Sequence, residues 1–101
     1  MSMSNGPQKG PVQSFQMPID GARSITDRGT LVTGRIRQGG VTNGDEVKIT
    51  GAGGKPTSSV VLLVEMSGRV VDRARAGDTV GVLLRGVSLE DVASGQVLQA
   101  R

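Results

Sequence analysis

The chain has 101 residues, 36% of them hydrophobic, with one aromatic side chain, Phe15, and neither cysteine nor histidine. That composition excludes disulfides, thiolate and imidazole metal sites and the commonest general base, and it requires a core of Val, Leu, Ile and Met. Twelve basic against nine acidic residues give a net charge of +3, a mild excess that suits a basic soluble surface or a polyanionic partner such as RNA.

This length predicts one domain. A domain of this size buries only about two thirds of its unfolded surface, which favours a closed form without long exposed edges. No apolar run reaches the length of a membrane helix, and no secretory signal is visible at the N-terminus. Together with the missing cysteines this leads us to expect a cytoplasmic protein with no membrane partner.

Residues 1–11 are polar and rich in Gly and Pro, and read as a disordered tail ahead of a β-barrel domain at 12–101. Val12–Ile19 is expected as a first strand anchored by Phe15, with Pro18 at an edge or strand end. Asp20-Gly21 is expected as a turn, Ser24–Thr26 as a short strand, and Thr26-Asp27-Arg28-Gly29 as the next turn. Thr30–Arg37 alternates, with Val32 and Ile36 flanking Gly34 on one face and Leu31, Thr33 and Arg35 on the other. Asn43-Gly44 signals a tight turn. Glu46–Thr50 alternates with Val47 and Ile49 inward.

Gly51–Pro56 reads as a hairpin tip. Its Gly-Gly-Lys resembles a phosphate-binding loop, but Pro56 stands where Ser or Thr would hold magnesium, and strands flank it on both sides, so no nucleotide is expected. Val60–Met66 is the most apolar segment, long enough to be covered on both faces. Arg69–Arg75 is short, charged and extended. Thr79–Arg85 alternates strictly, with Val80, Val82 and Leu84 on one face and Thr79, Gly81, Leu83 and Arg85 on the other. Ser88 followed three residues later by Asp91 has capping-box spacing for one helical turn, and Gln96–Ala100 is a final strand. Six or seven short strands so closely spaced predict an all-β barrel or sandwich.

Several segments together resemble the second domain of elongation factor Tu and related translational GTPases. They are Met17-Pro18-Ile19-Asp20, Ser24-Ile25, Arg28–Ile36, Asn43–Val47, Val64-Glu65-Met66, Arg75–Val87 and Gly95–Leu98, in the family's order over roughly residues 15–100. The resemblance implies a closed six-stranded Greek-key β-barrel. It also implies a non-catalytic module that contacts the aminoacyl-tRNA acceptor end, ribosomal RNA or both during translation elongation, with no GTPase activity and no cofactor of its own.

Carried over position by position, the resemblance implies an acceptor-end cleft at Asp20, Arg23, Thr33, Glu65, Arg69 and Thr79, and a ribosome-facing loop at Asp27, Arg28 and Gly29. The chain departs from the family at several of these places. Gly21 replaces a second acid and Arg23 a hydrophobic residue. Ser67-Gly68 replaces a Phe-Arg pair, Thr79 a frequent Asn, and Asp27 a usual Gly. The arginines fall into two sequence groups, Arg23, Arg28, Arg35 and Arg37, then Arg69, Arg73 and Arg75. With no aromatic among them to stack bases, they suit phosphates rather than sequence readout. In the translation-factor setting a GTPase domain is a further expected partner, and apolar surface at Leu63 or Leu83 is expected to be exposed without it. The alternative expectation is a stand-alone barrel that has lost RNA binding and serves as a protein-interaction module. With no His or Cys and no acid pair beside a nucleophile, an enzyme is not expected.

Overall fold

The computed structural model describes residues 13–51, 53 and 55–101. The tail expected at 1–11, and the start of a strand at Val12, lie outside them. The described residues form ten strands: β1 (Gln16–Pro18), β2 (Gly21–Ile25), β3 (Gly29–Arg35), β4 (Gly40–Thr42), β5 (Glu46–Thr50), β6 (Thr57–Met66), β7 (Arg69–Val71), β8 (Arg73–Arg75), β9 (Thr79–Leu84) and β10 (Val97–Ala100). A single 3-10 turn, Leu89–Asp91, is the only helical element among them.

The fold is all-β and every strand pairing is antiparallel. One sheet runs in the order β1-β10-β5-β6-β9-β3-β2 with β7 added beside β6, and β4 and β8 form a separate two-stranded ribbon. This ladder differs from the expected closed ring of six strands. The count rises because segments expected as single strands change partner along their length. Val71 pairs with Val64, whereas Ala74 two residues beyond Asp72 pairs with Val41 in the ribbon, so Arg69–Arg75 divides into β7 and β8.

The same thing happens at Ile19-Asp20. These residues make no turn: the Ile19 amide donates to Gln96 O at 2.9 Å and the Asp20 amide to Thr33 O at 2.9 Å. The chain leaves β10 and joins β3 within two residues. The first and last strands of the ladder are therefore one extended segment. Gly34 permits the crossing, since a Cβ there would lie 2.2 Å from the Pro18 carbonyl oxygen.

The core follows from the period-2 patterns. Val32 and Ile36 on β3 and just beyond it, Val47 and Ile49 on β5, and Val80, Val82 and Leu84 on β9 join Phe15, Met17, Val61, Val64 and Leu98 in one buried cluster. The apolar run of β6 is not covered on both faces. Its pairing with β9 shifts between Val61 and Leu63, and the bulged Leu62 is 37% exposed. A bulge of this kind restores inward alternation, so that Val61 and Val64 both face the core. β5 and β6 are joined as a hairpin, with Ile49 opposite Thr57, so the lysine-containing loop lies between strands. At Ser88 the amide donates to Asp91 Oδ2 at 3.1 Å, and the capping box expected there is present at the start of the Leu89–Asp91 turn.

Candidate nucleic-acid interface

Two rows of side chains cross the sheet on the face opposite the core. Register places Gly21 beside Thr33, Thr33 beside Gly81, Gly81 beside Glu65 and Glu65 beside Val70, a line across five strands. The neighbouring line runs Arg23, Leu31, Leu83, Leu63. Thr79 lies two residues from Gly81 on the same side and pairs with Arg35.

The floor of this face is Gly81. A Cβ there would meet Glu65 Cγ at 3.1 Å, Glu65 Oε1 at 3.3 Å and Leu31 Cδ1 at 3.3 Å. The half-buried Glu65 carboxylate thus lies over bare backbone and against an aliphatic side chain. Among the described residues no hydrogen bond or ion pair engages the Glu65 or Arg23 side chain. Thr33 and Asp20 are instead committed to each other, with Thr33 Oγ1 donating to Asp20 Oδ1 at 2.9 Å. Leu31 and Leu83 lie outside the core cluster yet are buried at 4% and 2% exposure. The expectation that Leu83 is exposed is therefore corrected: it is flanked by Leu31 on one side and the half-buried Leu63 on the other. The result is a carboxylate, a hydroxyl and a guanidinium around an apolar patch on one sheet face.

Of the expected cleft residues, Arg23, Thr33, Glu65 and Thr79 share this face, with Asp20 bonded to its edge. Arg69 is not brought to Glu65. It pairs with Met66, whose side chain packs toward the core, while Val70, 65% exposed, takes the place beside Glu65. The reason is the Ser67-Gly68 turn, with φ of 54° and 78°, the two-residue hairpin geometry that needs positive φ at both central positions. A two-residue loop between Met66 and Arg69 fixes the register, so counting outward from Ser67-Gly68 is a signal that would have placed Val70 in the face. Gly81 as the floor has no signal beyond being a small residue within an alternating strand.

The loop Thr26–Gly29 lies at the other end of β2 and β3, beyond the Ile25–Gly29 pair. Arg28 N donates to Ile25 O at 2.9 Å, and Asp27 has φ of 62°. This is left-handed backbone, which glycine adopts freely and Asp tolerates better than most residues. Asp27 and Arg28 are exposed, and with Gly29, Gly86 and Ser88 they border a shallow open depression. The two sequence groups of arginines are redistributed by the fold: Arg23 faces the Glu65 patch, Arg28 lies in this loop, and Arg35 and Arg37 lie with Arg73 and Arg75 at the opposite end of β3.

A family model described as elongation factor Tu domain 2 matches residues 29–99. The matched span includes Gly29, Thr33, Glu65, Arg69 and Thr79, and begins after Asp20, Arg23, Asp27 and Arg28.

Proposed function

The chain belongs to the elongation factor Tu domain 2 family, and from that premise we propose that it is a non-catalytic barrel that contacts the acceptor end of aminoacyl-tRNA through the Glu65 face and ribosomal RNA through the Asp27–Gly29 loop. The observation that carries the reading is the convergence of Glu65 and Thr33 at Gly81, with Arg23 in the neighbouring row of the same face. A carboxylate accepts ribose or adenine hydrogens, and a guanidinium attracts the terminal phosphate.

We read the domain as residues 12–101, acting in the cytoplasm alongside a GTPase domain that supplies nucleotide chemistry this chain lacks. No described helix is long and apolar enough to cross a membrane. The closed barrel of the family is supported by the two ends of the ladder, β1 and β2, being joined through Ile19 and Asp20.

Binding is expected to be weak. The phenylalanine that would add a contact of about 1–3 kcal/mol, if base stacking is the guide, is replaced by Ser67, and the hairpin turns Arg69 away. The test is titration of the chain against an aminoacylated acceptor stem at low salt. Binding that falls tenfold or more on Glu65→Gln supports the reading. No binding, under conditions where a full-length elongation factor binds the same stem, overturns it. In that event the exposed Val70 favours the second reading, a barrel whose outer face docks a protein.

A further inference from the structure

The fold gathers four arginines that the sequence separates into pairs. Past the end of β3 the chain is stitched to the Arg75–Asp78 turn: Ile36 N donates to Asp78 O, Gly77 N to Ile36 O and Ala76 N to Gly39 O, each at 2.9 Å. The ribbon adds Gly40 opposite Arg75 and Thr42 opposite Arg73. Val41 and Ala74 fill the ribbon's inward positions, so Arg73 and Arg75 point away from the core. Arg35, Arg37, Arg73 and Arg75 are all exposed. Arg35 and Arg37 border a shallow hollow with Pro18 and Gly77, and Arg73 and Arg75 border another with Asp78.

None of the four is ion-paired among the described residues, where the only ion pair is Arg101 with Glu46 at 3.8 Å. Arg37 Nη2 donates to Gln16 Oε1 at 2.7 Å. The acids nearby are Asp72, exposed next to Arg73, and Asp78, half-buried with Oδ2 accepting the Arg75 amide at 3.0 Å. Asp45 Oδ2 is likewise held by the Thr42 amide at 2.9 Å. Four guanidinium groups therefore share one end of the barrel with three acids, two of them engaged by backbone amides.

The geometry points to a second nucleic-acid contact at this end, a patch of Arg35, Arg37, Arg73 and Arg75 that grips the phosphate backbone of duplex RNA. Guanidinium groups suit phosphate because their N–H donors match two oxygens at once. An acidic protein partner fits less well, because protein interfaces centre on apolar or aromatic anchors. The exposed large hydrophobic residues, Leu62, Val70 and Leu89, are not members of this patch. A single strand fits less well too, since the patch has no aromatic ring on which bases would stack. β3 spans roughly 20 Å at about 3.3 Å per residue, so the patch is well separated from the Asp27–Gly29 loop at its far end.

The proposal is tested with a blunt-ended RNA duplex, which offers no acceptor end to the Glu65 face. Anisotropy titrations across a salt series should give a log–log slope of about −3 to −4, near one released counterion per arginine. Each single change, Arg35→Gln, Arg37→Gln, Arg73→Gln or Arg75→Gln, should reduce the slope by about 1. Changing all four to Lys should keep the slope, and Glu65→Gln should leave it untouched. The proposal is overturned if the Gln variants keep the parent slope while their circular dichroism is unchanged, or if polyglutamate binds as tightly as the duplex. A result in which the acceptor stem binds but the duplex does not would remove this patch and leave the Glu65 reading standing.

Discussion

Thr33 and Asp20 clamp each other twice: the Asp20 amide donates to the Thr33 carbonyl at 2.9 Å, and the Thr33 hydroxyl returns a hydrogen to Asp20 Oδ1 at 2.9 Å. The pair holds the point where the chain passes from β10 to β3, so it ties a residue of the expected cleft to the integrity of the sheet. Thr33→Val should remove the side-chain bond and lower unfolding free energy by about 1 kcal/mol. Urea melts of Thr33→Val, Asp20→Ala and the double variant measure it, and a coupling energy near zero would show that the bond contributes nothing.

Gly34 should be the least tolerant position in β3. A Cβ at 2.2 Å from the Pro18 carbonyl oxygen meets backbone, which cannot rotate aside. Gly34→Ala should cost about 3 kcal/mol or more, the upper range of overpacking, and thermal unfolding monitored by circular dichroism would show it as a large drop in Tm.

Leu83→Ala should behave as a core truncation, although Leu83 faces away from the core cluster. At 2% exposure it should lose about 2–4 kcal/mol. A loss below about 0.5 kcal/mol in a denaturant melt would mean that the outer patch is open in solution.

Asp27→Gly should stabilise the chain. Asp27 holds φ of 62°, and relieving a left-handed non-glycine residue is worth about 1 kcal/mol, less than the full penalty because Asp tolerates this region. The denaturation midpoint should rise with an unchanged slope. The same change removes a carboxylate from the loop expected to meet ribosomal RNA, so RNA affinity should not fall.

Much of this was readable from the residues because period-2 alternation is local. Val80, Val82 and Leu84, and Val47 and Ile49, face the core as their spacing predicts, and Gly34 sits between Val32 and Ile36. What was not readable depends on partners distant in sequence. Asp20-Gly21 has turn composition, yet Gly21 opens β2 because Gln96 and Thr33 accept the hydrogen bonds that keep the segment extended. Leu62 looks like one more buried leucine until the β9 register forces it out. Arg69 and Val70 exchange places relative to the expected face because a two-residue turn sets their parity. Thr33 and Glu65, 32 positions apart in sequence, come to flank Gly81 only through β9.

The joining of β1 to β2 through Ile19 and Asp20 has a kinetic consequence. The ladder begins with Met17 opposite Leu98, so no hairpin-by-hairpin route completes it. Most of the loop-closure entropy must be lost before these two strands meet, which favours slow, late zipping. During synthesis β1 must wait, with Phe15 and Met17 uncovered, until β10 has emerged.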